Sequence, residues 1–139
     1  MDASYKIQRG IHVHLIQFFM CPEFWVHIKN VKKILFICHG NICQSPMAEY
    51  VMKGLVRKAG LESQFQIASA ATSREEIGNP VYPPAQRKLA EHGIGCSCHA
   101  ARQLVNSDYE EYDLLIGMDR ANLRDMYRIC GGDFMDKMR

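Results

Sequence analysis

The sequence predicts an α/β fold, a three-layer sandwich with a central parallel sheet covered by helices on both faces. Residues 34–37, 65–71 and 112–118 are apolar runs that do not alternate, the mark of strands buried on both sides. Between them lie segments whose apolar residues recur at helical spacing, and strands alternating with helices build a parallel sheet. A length of 139 residues is enough for one domain with a substantial core and too short for two.

Composition narrows the function classes. The net charge is +2, and the 17 Lys and Arg residues are scattered without a basic run or interleaved aromatics, so no nucleic-acid partner is expected. Six cysteines (Cys21, Cys38, Cys43, Cys96, Cys98 and Cys130) could form a secreted disulfide framework. The chain is longer than such scaffolds and rich in ordinary core residues, which favours a reducing cytoplasm. No internal repeat or low-complexity segment is present.

Residues 1–30 read as an extension distinct from a domain over residues 31–139. Residues 11–20 are apolar but broken by His12, His14 and Gln17, and they are too few to span a bilayer. Lys6 and Arg9 precede them as in a signal peptide, yet no small-residue cleavage site follows. The extension reads as a non-native or mis-started leader of marginal order. No membrane partner is expected.

The strand over residues 34–37 runs into a loop with one glycine, and a Ser-Pro pair then opens a helix. Ser45 is expected to be its N-cap and Pro46 its first residue, where a missing N–H costs nothing. A loop entering a helix in this way aims backbone N–H groups at one spot with the helix dipole behind them, and that spot favours phosphate or another oxyanion. Cys38 sits where strand gives way to loop, and the same field favours thiolate over thiol. Ala48, Val51, Met52, Leu55, Val56 and Ala59 define one helical face, closed by Gly60. After the strand over residues 65–71 comes an irregular loop over residues 72–84 containing Gly78-Asn79-Pro80, then a helix from about 85 to 92 closed by Gly93. Ser107 is expected to cap a short helical turn. Asp119 reads as the cap, not an acid, of a helix with Leu123, Met126, Tyr127 and Cys130 on one face, stopped by Gly131 and Gly132. Cys96-Ser97-Cys98-His99 could suggest a metal site, but no second ligand pair follows at usable spacing, so no metal and no cofactor are expected. Cys38 and Cys43 have a plain alternative as small core residues.

Residues 38–49 read C-H-G-N-I-C-Q-S-P-M-A-E. This resembles the phosphate loop of the low-molecular-weight protein tyrosine phosphatases, C-x-G-N-x-C-R-S-P-x-A-E, at every fixed position except Gln44, which stands where the family has arginine. Ser69-Ala70-Ala71-Thr72-Ser73, Gly78-Asn79-Pro80-Val81-Tyr82-Pro83, His99-Ala100-Ala101-Arg102-Gln103 and Gly117-Met118-Asp119-Arg120-Ala121-Asn122-Leu123-Arg124 resemble further family blocks in family order. The resemblance runs from about residue 33 to residue 139.

The resemblance implies hydrolysis of phosphotyrosine monoesters through a phosphocysteine on Cys38, with a phosphotyrosine protein or small aryl phosphate as partner. The N–H groups of His39, Gly40, Asn41, Ile42, Cys43, Gln44 and Ser45 would cradle the phosphate. Asn41 would hold a left-handed turn, supported by Ser69 and His99. Ser45 would stabilise the departing thiolate, and Cys43 would form a reversible disulfide with Cys38 under oxidation. Glu75 falls at the substrate rim, where many relatives carry an aromatic. In place of a guanidinium that grips two oxygens, Gln44 offers an uncharged amide, a loss on the order of 2.7–4 kcal/mol if it resembles loss of an oxyanion donor.

Family members continue with a fourth strand, in sheet order 2-1-3-4, and an Asp-Pro loop that supplies the general acid. Without that acid the rate would fall on the order of 10²- to 10⁴-fold. Asp133 and Asp136 read as solvated loop charges. The third strand is expected to present a bare apolar edge, open to self-association or to residues 11–18. The alternatives to a weak or inactive phosphatase are a non-catalytic phosphate or phosphotyrosine binder and an arsenate reductase of the same fold, whose cysteine pattern Cys96 and Cys98 do not match.

Overall fold

The computed structural model describes residues 32–139, so the readings made for the N-terminal extension, including packing of residues 11–18 on the sheet, lie outside the described residues. The elements are β1 (Lys33–Cys38), α1 (Gln44–Lys58), a 3-10 turn (Glu62–Gln64), β2 (Gln66–Ala71), α2 (Pro83–Glu91), α3 (Asn106–Glu111), β3 (Leu114–Gly117) and α4 (Arg120–Cys130). The three strands are parallel in the order β2-β1-β3, with Phe36 of β1 registered between Ser69 and Ile116.

The apolar run of β1 fits its central place. Ile34, Leu35, Phe36 and Ile37 have no exposed surface. Leu35 and Ile37 join Ala70 and Leu115 in a core closed by Leu104, Tyr109, Tyr112, Met126 and Cys130. The two-residue period of a strand sends Ile34 and Phe36 to the opposite face, where α1 packs on β1 and β2, and α2 packs on α1. Side chains of this size contribute about 1.5–3 kcal/mol each when fully buried. The buried stripe of α1 is narrower than the sequence spacing predicts: Ala48, Met52 and Val56 are buried, but Leu55 and Ala59 are exposed.

Three helix starts differ from expectation, each for a local reason. Cys43, not Ser45, is the N-cap of α1; Gln44 is its first residue and Pro46 its third, where the absent N–H would still lack a helical partner. The Ser45 hydroxyl is committed elsewhere. Helix α2 begins at Pro83, because two prolines fit its first two positions. Before α3 it is Asp108, not Ser107, that accepts the Val105 N–H at 2.9 Å. Asp119 does cap α4, accepting the Asn122 N–H at 2.7 Å, and the helix ends at Gly131 with φ of 76°.

The edge of β3 is not bare. Residues 137–139 run parallel to it: Leu115 N–H donates to Lys137 O at 2.9 Å, Arg139 N–H to Leu115 O at 3.0 Å, and Gly117 N–H to Arg139 O at 2.9 Å. Nor is Asp133 a solvated charge. Its carboxylate accepts from the Tyr109 hydroxyl at 2.7 Å and from the N–H groups of Lys137 at 2.7 Å and Met138 at 3.1 Å. Sequence reading missed this because only Met138 of the short terminal segment is buried, leaving no apolar run to see. Asp136 is exposed and pairs with Arg139 at 3.0 Å. No helix among the described residues is long and apolar enough to cross a membrane.

The chain leaves β1 toward β2 on one side and reaches β3 on the other. A crevice therefore opens at the carboxyl end of β1, the usual ligand position in such sheets, and Cys38 ends that strand.

Candidate active site

Cys38 is almost wholly buried, and polar groups reach its sulfur. The Asn41 N–H donates to Sγ at 3.2 Å, and Ser45 Oγ lies 2.9 Å from it. The Ser45 hydroxyl has one proton to place; its other acceptor, Ala70 O, is at 3.4 Å, so the sulfur has the better claim. The N–H groups of His39, Gly40, Ile42, Cys43, Gln44 and Ser45 donate to no acceptor among the described residues.

Asn41 holds the loop in shape. It is fully buried with φ of 57°, a left-handed turn that asparagine tolerates better than most residues. Its Nδ2 donates to Ser45 Oγ at 2.9 Å and Ser69 Oγ at 2.8 Å, and its Oδ1 accepts the Arg102 N–H at 3.1 Å. His99 Nε2 is 2.7 Å from Asn41 O; because a carbonyl only accepts, that ring nitrogen carries the proton. The structure thus brings Asn41, Ser45, Ser69 and His99 together around Cys38.

Two supporting residues were not assigned from sequence. Glu49 is buried on α1, where its carboxylate accepts from Ser69 Oγ and from Lys53 Nζ at 2.6 Å. Its signal was its place as the last fixed position of the loop motif. Arg102, whose N–H meets Asn41, forms a two-pronged pair with buried Asp108 at 2.9 and 3.0 Å. Burial alone would lower the Arg102 pKa, but the hydrogen bonds and charge of Asp108 raise it.

Glu75 lies beside the loop. Its Oε2 is 3.1 Å from His39 Nε2, both side chains are exposed, and the Ser73 N–H donates to His39 O at 3.0 Å. Gln44 is half-buried, with no hydrogen bond from its amide to the described residues. Lys53 is engaged by Glu49, Arg102 by Asp108, and Arg74 by Gln103 Oε1 at 2.9 Å. Cys43 is half-buried; burial first, then the charge of Cys38, pushes its thiol up to about 11. Cys96, half-buried, and Cys98, exposed, are free thiols, and no group of three metal-ligating side chains occurs among the described residues.

The sequence model of the low molecular weight phosphotyrosine protein phosphatases matches residues 33–139. The chain is 46% identical over 99 residues to the low molecular weight phosphotyrosine protein phosphatase of Gallus gallus, a stretch covering 71% of this chain and 62% of the relative, so it spans less than two thirds of that protein's length. Among solved structures it resembles YfkJ from Bacillus subtilis with a TM-score of 0.76 and 34% identity, covering 78% of this chain and 69% of the other. It also resembles Vibrio vulnificus Wzb in complex with benzylphosphonate, with a TM-score of 0.69 and 28% identity, covering 78% and 72%.

Proposed function

Because this chain belongs to the low molecular weight phosphotyrosine protein phosphatase family, we propose that residues 38–45 bind the phosphoryl group of a phosphotyrosine protein or small aryl phosphate and that Cys38 attacks it. The thiolate sulfur forms a bond to phosphorus as the aryl oxygen leaves, and water then hydrolyses the phosphocysteine. The loop N–H groups without internal acceptors hold the phosphoryl oxygens. Asn41, braced by Ser69 and His99, keeps the loop formed before substrate arrives. The Ser45 hydroxyl stabilises the sulfur when it departs in the second step.

The observation that carries this reading is the Cys38 sulfur, buried yet met by the Asn41 N–H at 3.2 Å and the Ser45 hydroxyl at 2.9 Å. A small hydrophobe would pack among aliphatic side chains instead. The benzylphosphonate complex of the Vibrio relative supports an aryl phosphate as the ligand type. Turnover is weak, because Gln44 supplies no charge to the transition state. Asp133 and Asp136, engaged near the C-terminal segment, are not assigned as proton donors.

Gln44 also favours a second reading, a binder that keeps the loop without the chemistry. Turnover of p-nitrophenyl phosphate, combined with mass spectrometry for phosphoryl on Cys38, separates the two. The expected result is slow product release that Cys38→Ser abolishes and Gln44→Arg raises by about 10²- to 10³-fold. Binding without product in both the native and Gln44→Arg chains would leave the binder. No binding and no product would sink both.

A further inference from the structure

Gln44 stands in the loop as the first residue of α1, half-buried and with its amide unpaired among the described residues. An arginine carries only donors and a fixed positive charge, matched to a phosphoryl group whose oxygens all accept. A glutamine amide pairs two donor hydrogens with one acceptor oxygen and no charge. The backbone N–H groups of the loop are donors and offer a protonated phosphoryl oxygen no acceptor, and the Cys38 sulfur already takes the Asn41 N–H at 3.2 Å and lies 2.9 Å from Ser45 Oγ. The surroundings also oppose a second negative charge. The Glu75 carboxylate stands beside His39, and the Glu76 side chain lies next to Gly40, where an added Cβ would meet its Cγ at 3.4 Å. Lys53, Arg74 and Arg102 each have an acceptor of their own.

Resting on the proposed phosphoryl site, we infer that Gln44 makes the loop select the singly protonated phosphoryl monoanion over the dianion: Oε1 accepts the P–OH hydrogen while Nε2 donates to a neighbouring oxygen. The substrate class is a phosphate monoester in its monoanionic form. Such a ligand carries one charge and brings the hydrogen that the amide oxygen can accept.

The groups that titrate around this position are Cys38 and Cys43 in the loop, His39, Glu75 and Glu76 at its mouth, and His99 beneath it. Two ligands are compared on the full chain by calorimetry, and because these groups are present in both the native and Gln44→Arg chains, the difference between the chains isolates the effect of Gln44. Benzylphosphonate passes from monoanion to dianion with rising pH, and phenylmethanesulfonate stays a monoanion throughout. From one pH unit below the phosphonate's second ionisation to two above it, the Kd ratio of phosphonate to sulfonate is expected to rise about 100-fold for the native chain, because only the protonated fraction binds. In Gln44→Arg the ratio is expected to rise less than about threefold, or to fall, since a guanidinium favours the dianion. A flat ratio in the native chain, or the same rise in both chains, overturns this inference while binding itself upholds the anion loop. Failure of both ligands to bind both chains overturns the loop reading as well.

Discussion

Asn41 is the residue on which the loop's geometry most depends. It combines a left-handed backbone with three side-chain hydrogen bonds in a fully buried position. Asn41→Ala strands the Arg102 N–H and disturbs both serine hydroxyls, so it is expected to lower stability by about 3 kcal/mol in urea unfolding. Its neighbour Cys43 makes a prediction of a different kind. With its thiol pushed up to about 11 by burial and then by Cys38, Cys43 stays protonated at neutral pH. Alkylation of Cys43 by iodoacetamide, followed by mass spectrometry, is expected to run about a thousandfold slower at pH 8 than at its alkaline plateau. The left-handed turn was implied by the resemblance to the family's phosphate loop, and asparagine tolerates that conformation better than most residues. The duty of Glu49 was not, because an acid on a helix is usually solvated and only the fold shows Ser69 and Lys53 around it. Ser45 misled in the other direction: serine before a helix reads as a cap, but tertiary partners outbid the backbone for its hydroxyl.

Among the elements, the three strands and four helices were readable from apolar runs and turn residues, and both ends of α4 stood as expected, whereas the starts of α1, α2 and α3 did not. The segment from Asp133 to the last residue was the main omission. Here backbone pairing with Leu115 and a single carboxylate do what an apolar run would do in a longer strand. Burial alone would raise the Asp133 pKa, but the Tyr109 hydroxyl, the N–H groups of Lys137 and Met138 and the charge of Arg139 outweigh it and hold the carboxyl below its ordinary range. A depressed carboxyl adds stability above its unfolded value near pH 4 and loses it as pH falls through the folded value. Asp133→Ala is therefore expected to cost about 1.5 kcal/mol at pH 7. Thermal melts of native and variant chains should converge as pH drops below about 4; a constant gap down to pH 2 would show that the carboxylate's charge is not involved.

For the described domain as a whole, the order β2-β1-β3 gathers the proposed groups, drawn from several segments, around the carboxyl end of β1. β1 is central and buried from Ile34 to Cys38, so Cys38 is delivered by the most constrained part of the sheet. Thr72 and Ser73 of the following loop donate to Cys38 O at 2.9 Å and His39 O at 3.0 Å, and Arg102 and His99 brace Asn41 from a third segment. Such a loop is preorganised, which is where electrostatic catalysis draws most of its effect. The same scaffold with Gln44 retains the shape and drops the charge. Amide chemical shifts of the full chain during titration with inorganic phosphate test this most directly. Saturable shifts centred on the N–H groups of residues 39–45 are the predicted result; shifts absent from that loop, or centred elsewhere, would contradict an anion cup above Cys38.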